Sequence, residues 1–153
     1  MRSNSTDGSL LPIPPAIPVL GYTFHAEQVT YSEAQQKCAD EGRTLAMPKS
    51  RTQWLELVAA NDIFQDGGLK TTEQLWLGMD DTDMDGTWMW YSWYDGSGQV
   101  TWTNWMTGQP SNTGGVENCV GWYVKQQPAG WAEYNKWNDR PCDKRISYVC
   151  QCK

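Results

Sequence analysis

Long apolar runs are missing from this chain of 153 residues, and so are clusters of positive charge. No stretch approaches the about 20 consecutive apolar residues that a transmembrane helix needs. The 12 Lys and Arg residues are scattered and are outnumbered by 18 Asp and Glu residues, which gives a net charge of -6. We therefore predict a protein that neither inserts into a membrane nor binds nucleic acid, because nucleic-acid phosphates attract concentrated positive charge.

Histidine is also scarce, and this argues against catalysis. The single histidine, His25, has no cysteine or serine near it that would complete a nucleophilic triad. Glu117 and Asp139 could form a carboxylate pair of the glycosidase type, but they are better explained as metal ligands, and metal-bound carboxylates are poor general acids. The sequence predicts a binding protein rather than an enzyme.

Five cysteines are spread along the chain, and none of them has the paired C-x-x-C spacing of many intracellular metal sites. This distribution indicates an oxidising compartment, so we expect a secreted, extracellular protein. The count alone leaves many disulfide pairings open.

The prolines divide the chain into an arm and one domain. Residues 1–20 contain Pro12, Pro14, Pro15 and Pro18, which favour a flexible, extended arm, whether or not all of it is native to the protein. The remaining 133 residues, 21–153, are enough for one domain with a buried core.

The first part of this domain has two helix signals, and the rest has strand signals. Capping boxes at residues 30–33 and 50–53 predict two helices, and Gly42 is placed to end the first. The second helix is expected to bury Trp54, Leu55 and Val58. Short aromatic and β-branched runs predict strands near residues 75–79, 87–91, 120–124, 131–135 and 147–150. Between the second and third of these strands lies a long polar stretch, which indicates a functional loop.

Oxygen-bearing side chains in and after this polar stretch form a set suited to a hard cation. They are Gln109, Ser111, Glu117, Asn138 and Asp139. Ca²⁺ takes about 6–8 oxygen ligands and accepts amide and hydroxyl oxygens beside carboxylates. Such a set would leave coordination positions for the oxygens of a bound ligand.

Three motifs around these residues resemble those of C-type lectin domains. The run L-W-L-G-M at residues 75–79 resembles the family's W-I-G-L strand, residues 137–139 match its W-N-D, and residues 109–111 are a Q-P-S variant of its galactose-type Q-P-D. Cys119 follows Glu117 at the family's spacing. The resemblance covers about residues 21–153 and implies an α+β fold, in which two helices flank small antiparallel sheets below a long calcium-binding loop region.

The resemblance also implies which cysteines pair. It joins Cys38 to Cys150 and Cys119 to Cys142, and the absence of a further N-terminal pair indicates the short form of the domain. Cys152 is left over. It could compete with Cys150 for Cys38, stay a free thiol, or link two copies into a homodimer, and we favour the link between copies slightly.

Calcium-dependent carbohydrate binding is the function that the resemblance implies. Gln109, Ser111, Glu117, Asn138 and Asp139 would ligate the principal Ca²⁺, and Pro110 would follow a cis peptide bond. Two neighbouring sugar hydroxyls would complete the metal shell. They would also hydrogen-bond to Gln109, Ser111, Glu117 and Asn138.

The Q-P-S sequence leaves the choice of sugar partly open. Gln109 can donate through its amide, as in Q-P-D, which favours galactose-type sugars. Ser111 can donate or accept, so mannose-type or microbial glycans remain alternatives, and a role in innate immune recognition would follow from either. No aromatic residue directly follows Ser111 to stack on galactose, so the stacking candidates are Trp131, Tyr134 and Trp122, whereas Trp137 is expected in the core.

Two further alternatives stay open. A weaker auxiliary metal site would use Asp81, Asp85, Asn112, Glu117 and Asn118, although Asp80 to Gly86 could instead be a solvated acidic turn. The whole domain could also have lost sugar binding and serve as a protein-interaction or ice-binding module, and Ser111 is the residue that most favours this alternative.

Overall fold

The computed structural model describes residues 16–66, 72–81, 88–90, 98–124 and 135–152. In these ranges the chain forms an α+β fold, as predicted. Its helices are α1 (Tyr31–Asp40) and α2 (Arg51–Asp66). Its strands are β1 (Ala16–Val19), β2 (Tyr22–Val29), β3 (Arg43–Leu45), β4 (Gln74–Asp80), β5 (Met89–Trp90), β6 (Cys119–Tyr123), β7 (Trp137–Arg140) and β8 (Ile146–Cys152). Neither of these helices has the length and apolar character needed to cross a bilayer.

The described strands join into one mixed sheet. Their order is β1-β2-β8-β4-β6-β7, with β3 also paired to β8 and β5 to β4. All of these pairs are antiparallel except β4 with β8, which run parallel. The parallel pair joins one half of the sheet, formed by β1, β2, β3 and β8, to the other half, formed by β4, β5, β6 and β7. The small antiparallel sheets expected from the resemblance are therefore parts of one larger sheet.

Helix α1 begins and ends where its sequence predicts. Thr30 Oγ1 accepts from the Glu33 backbone N–H at 3.3 Å, and Glu33 Oε1 accepts from the Thr30 N–H at 2.9 Å, which completes the capping box. Gly42 follows the last turn with φ +77°, a conformation that glycine adopts without strain.

Helix α2 has a modified cap and a different buried face from the one predicted. Ser50 Oγ accepts from the Gln53 N–H at 3.2 Å, but Gln53 Oε1 accepts from Lys49 rather than from the cap residue. Leu55 is 48% exposed, so its predicted place in the core is wrong. The buried stripe consists of Trp54, Leu57, Ala60 and Phe64. These residues recur every three or four positions on one helix face, and Leu55 points away from it.

Part of the predicted N-terminal arm is a strand. Residues 16–19 form β1, which pairs with β2 from Ala16↔His25 to Val19↔Tyr22, so the flexible arm predicted up to residue 20 is wrong in this part. Pro18 is tolerated because β1 is the edge strand, where one side needs no ladder hydrogen bond. Residues 1–15 lie outside the described residues.

The other strand predictions have mixed outcomes. The strands predicted near residues 75–79, 120–124 and 147–150 are present as β4, β6 and β8. The strand at 87–91 is described only at its centre, as β5, and the one at 131–135 falls almost wholly outside the described residues. Strands β1, β2, β3 and β7 were not predicted from the sequence.

Two disulfides hold the fold at the positions that the resemblance implies. Cys38–Cys150 connects α1 to β8 across 112 residues of sequence, and Cys119–Cys142 connects the start of β6 to the turn after β7. In the chain-entropy description the long closed loop contributes about 4–5 kcal/mol to stability. Cys152 is an exposed free thiol. The second bridge fixes the chain two residues after Glu117, at the end of the long loop.

Candidate functional site

A cluster of tryptophans forms the floor of the long loop. Trp137 is completely buried, and the rings of Trp54, Trp90, Trp102 and Trp105 approach it edge-on with centroids 5.5–6.2 Å away. Edge-to-face contacts of this kind stabilise beyond the area they bury. Trp137 therefore lies in the core, as predicted, and it gives β7 a rigid support below the polar residues that follow.

Backbone hydrogen bonds attach the first part of the loop to β7. The Trp137 N–H donates to Asn104 O at 3.0 Å, and Trp137 O accepts from the Met106 N–H at 2.8 Å. The Gln109 N–H then donates to Met106 O at 2.9 Å, which closes a turn. These bonds bring Gln109 alongside the end of β7, where Asn138 and Asp139 lie.

The Asp139 carboxylate organises the next residues of the loop. Asp139 is completely buried, and its Oδ1 and Oδ2 accept from the backbone N–H groups of Ser111 at 3.0 Å and Asn112 at 2.6 Å. The Gln109–Pro110 peptide bond is cis, as the resemblance implies. Gln109 Oε1 also accepts from the Ser111 N–H, at 3.0 Å. One buried carboxylate thus holds the tripeptide against the sheet.

Glu117 organises the far end of the same loop. Its Oε1 accepts from Ser111 Oγ at 3.1 Å and from the Thr113 N–H at 3.0 Å. Its own N–H donates to Asn112 Oδ1 at 3.3 Å, and Asn112 takes a left-handed conformation with φ 49°. A 3₁₀ turn at Thr113–Gly115 lies between these contacts. The segment therefore folds back on itself around Glu117.

The structure brings four of the five predicted metal ligands together. Gln109 and Asp139 accept from the Ser111 backbone N–H, and Glu117 accepts from the Ser111 hydroxyl, so these side chains converge on Ser111. Asn138 is buried and lies next to Asp139 on β7, but its side chain forms no hydrogen bond to the other four. Asn138 is therefore the one predicted ligand that takes no part in this hydrogen-bonded cluster.

The spacing of the oxygens is compatible with calcium. Ca²⁺ contacts its ligands at about 2.3–2.6 Å, so two oxygens roughly 3 Å apart can touch the same ion. Ser111 Oγ and Glu117 Oε1 are such a pair, at 3.1 Å. Gln109 Oε1 and Asp139 Oδ1 lie on the same side of the loop, because both accept from the Ser111 N–H, each at 3.0 Å. Two carboxylates with neutral oxygens, and no nitrogen or sulfur ligand, suit a hard cation. The residues therefore fit Ca²⁺.

Only some of the residues predicted for the auxiliary metal site are in contact with one another. The Asp81 N–H donates to Asn118 O at 2.8 Å, and Asn112 contacts Glu117, but Asp85 lies outside the described residues. The alternative of a solvated acidic turn does not extend to Asp80. That residue belongs to β4 and accepts from the Tyr31 hydroxyl at 2.8 Å.

The aromatic stacking candidates divide into two groups. Trp131 and Tyr134 lie outside the described residues, so their roles stay predictions. Trp122 is completely buried, and its Nε1 donates to Asn135 Oδ1 at 3.0 Å, so its proposed stacking role is wrong. It lies on β6 in the hydrophobic core, where its ring contacts Trp54 edge-on.

Thr113 is a site residue that the sequence analysis missed. Its hydroxyl lies 3.0 Å from Ser111 Oγ, and its N–H is fixed on Glu117. The hydroxyl two positions after Ser111 was its only sequence signal. The 3₁₀ turn that brings the two hydroxyls together was not predicted from the sequence.

These features define a disulfide-bonded α+β domain whose long loop is rich in oxygen-bearing side chains. The family model of the lectin C-type domain matches residues 27–152, and the chain belongs to this family. Salivary C-type lectin 2 of Aedes albopictus is 31% identical to it over 137 residues, which are 86% of this chain and 83% of that protein.

Two solved structures show the same fold. Human lithostathine superposes with a TM-score of 0.67 at 20% identity, over 90% of this chain and 96% of that chain. A Ca²⁺-dependent type II antifreeze protein in its Ca²⁺-free form has a TM-score of 0.65 at 24% identity, over 90% and 97% of the two chains. Likeness at this level of identity establishes the fold and leaves the ligand to be argued from the site.

Proposed function

We propose that this protein binds carbohydrate in a calcium-dependent manner. The observation that carries the proposal is the convergence of Gln109, Glu117 and Asp139 on Ser111 in an exposed loop. Membership of the C-type lectin family supports carbohydrate binding in general and a binding rather than an enzymatic role. The geometry of the loop supports the metal-dependent form of that binding.

In this proposal Gln109, Ser111, Glu117, Asn138 and Asp139 hold the principal Ca²⁺. A Ca²⁺ held by these residues would supply affinity, because two neighbouring sugar hydroxyls could complete its shell. Asp139 and Glu117 keep the loop in the shape that presents these oxygens, since each carboxylate already accepts two hydrogen bonds from residues 111–113. Asn138 must turn its side chain toward the loop to join them.

A galactose-type sugar is the preferred ligand in this proposal. Gln109 Oε1 faces the Ser111 N–H, which leaves the Gln109 amide nitrogen to donate to a sugar hydroxyl. A donor at this position corresponds to the first residue of the galactose-type tripeptide. Mannose-type and microbial glycans are the competing ligands, and stacking by Trp131 or Tyr134 would favour galactose.

Secretion, a role in glycan recognition in innate immunity, and a disulfide-linked homodimer complete the proposal. The two disulfides are of the kind that form in an oxidising compartment. The exposed Cys152 thiol lies 3.3 Å from Arg43 Nη1 at the end of β8, where a second copy can reach it. Two linked domains would bind a multivalent glycan with greater avidity than one.

Capture on galactose resin tests the proposal. We expect retention in millimolar calcium, release by EDTA, and weaker retention on mannose resin. Titration calorimetry with CaCl₂ should give heat before any sugar is added. Retention that persists in EDTA, or a lack of calcium heat, would contradict the proposal. Thermal hysteresis in ice-growth measurements, without sugar retention, would favour the ice-binding alternative, which fold similarity to the antifreeze protein supports.

A further inference from the structure

The hydroxyl of Ser111 has its proton committed to Glu117. A serine hydroxyl has one proton to donate and two lone pairs to accept with, whereas a carboxylate oxygen can only accept. Ser111 Oγ lies 3.1 Å from Glu117 Oε1, so Ser111 is the donor in this contact. Its proton is then not available to any other partner.

The direction of the neighbouring hydroxyl contact follows from this commitment. Ser111 Oγ and Thr113 Oγ1 are 3.0 Å apart, and distance alone does not identify the donor. Because the proton of Ser111 points to Glu117, Thr113 must donate and Ser111 must accept. The protons therefore run in one direction, from Thr113 to Ser111 to Glu117.

With this direction of hydrogen bonding, one of the two lone pairs of Ser111 Oγ accepts from Thr113 and only the other is free. If Ser111 ligates calcium, as the proposed function requires, the metal takes that lone pair. Ser111 then has nothing left with which to hold a sugar hydroxyl. The contact that the Q-P-S tripeptide was expected to make through its third residue must come from a different group.

Thr113 is placed to supply that contact. Its proton is used by Ser111, and no residue in the described part of the chain donates to its Oγ1, so both lone pairs remain. The residue is exposed, and the bond from its N–H to Glu117 Oε1 at 3.0 Å fixes its backbone. A hydroxyl that can only accept thus stands at the rim of the loop.

We propose that Thr113 Oγ1, rather than Ser111, accepts a hydrogen bond from a hydroxyl of the bound sugar. This inference rests on the proposed function and names a specificity-determining residue within it. Gln109 donates and Thr113 accepts, so the pair keeps the donor and acceptor order of the galactose-type site with a threonine in place of the usual third residue.

Thr113→Val and Thr113→Ser are the matched variants that test the inference. Valine keeps the shape of threonine and removes the hydroxyl, whereas serine keeps the hydroxyl. Calcium affinity is measured first by calorimetry, and methyl galactoside is then titrated at saturating calcium. We expect Thr113→Val to weaken galactoside binding about three- to tenfold, the effect of one neutral hydrogen bond, with calcium affinity little changed. Thr113→Ser should bind both ligands as the unaltered protein does.

The outcomes separate this inference from the proposed function. Wild-type galactoside affinity in Thr113→Val would overturn the role of Thr113 while leaving calcium-dependent binding in place. An equal loss of calcium and galactoside affinity in both variants would also overturn it, because that pattern indicates a structural role. If the unaltered protein binds no calcium, the proposed function fails and this inference falls with it.

Discussion

Two regions that meet at strand β7 are held together by different forces. Below the strand, tryptophan rings and two disulfides form a buried, mostly apolar body. Above it, residues 107–116 are exposed except for Gln109, and hydrogen bonds to Asp139 and Glu117 hold them in place. Trp137 belongs to the first region and Asp139, two residues later, to the second. Substitutions on this one strand should therefore affect either the stability of the fold or ligand binding, depending on which region the residue belongs to.

Trp137→Ala should have the largest effect on the lower region. Removing a buried tryptophan leaves a cavity among four other tryptophans, and such substitutions lower the free energy of unfolding by about 3–5 kcal/mol. Urea unfolding followed by far-UV circular dichroism measures the change. Trp137→Phe fills part of the space and should lose less. Equal stability of the alanine variant and the unaltered protein would mean that this cluster does not support the fold.

Asp139→Ala should separate the two regions most clearly. The backbone N–H groups of Ser111 and Asn112 would lose their buried acceptor, which costs about 1–3 kcal/mol of unfolding free energy. The disulfide-bonded body should remain folded, while calcium-dependent sugar binding should disappear. The matched control is Asp143→Ala, which removes an exposed carboxylate four residues later and should leave binding unchanged.

Calorimetry and thermal melting of both variants test whether Asp139 is a metal ligand. Retained calcium-dependent binding in Asp139→Ala would refute the place of Asp139 in the metal site. Loss of binding in Asp143→Ala as well would indicate a general effect of negative charge rather than a specific ligand.

The lower region was the more predictable from sequence, because it is specified by local rules. The Thr30 capping box depends on residues three apart, and it appears as predicted. The disulfide pairing followed from the family resemblance, since cysteine counting left it open. The failures were cases in which tertiary context overrode local signals. Pro18 suggested an arm, but an edge strand tolerates it, and Leu55 suggested core, but its helix face is exposed.

The upper region was predictable in composition but not in detail. Its oxygen-bearing residues were singled out because a calcium site would need those residue types. Their contacts depend on the left-handed conformation of Asn112 and the 3₁₀ turn after it, which bring Thr113 to Ser111. No periodic pattern encodes such a turn, so Thr113 was missed and the separation of Asn138 from the other predicted ligands was not foreseen.

Exchanging the tripeptide should alter the upper region alone. Gln109→Glu combined with Ser111→Asn makes the first residue an acceptor and lets the third donate, the order that the family resemblance associates with mannose-type sugars. We expect the ratio of galactoside to mannoside affinity to fall about tenfold, or about 1.4 kcal/mol, with little change in unfolding. Competition binding with the two methyl glycosides measures the ratio. An unchanged ratio would mean that these side chains do not select the sugar, even if they hold the metal.

The smallest expected effect lies far from the loop, at His25 on β2. Its ring stacks on Tyr148 with centroids 4.4 Å apart, and its Nε2 lies 3.1 Å from Glu41 Oε2. Burial lowers the pKa of His25 below 6.5, helped by the charge of Lys37 and opposed by Glu41 and Glu27. Burial is the largest of these effects, so the net shift of the pKa is downward.

A lowered pKa in the folded state fixes the sign of the pH dependence. The folded protein binds the proton less readily than the unfolded chain, so the contribution of His25 to unfolding free energy is complete above pH 6.5 and declines below it. It is lost once the pH has fallen through the folded-state pKa. Subtracting the pH profile of His25→Gln from that of the unaltered protein isolates this term from the carboxylates. A difference that grows as the pH falls from neutrality would mean that the ion pair with Glu41 outweighs burial. Calcium-dependent binding, measured on the same samples, should not change with the protonation of His25. In the described part of the chain, its neighbours Tyr148 and Glu41 make no contact with the loop residues 109–117.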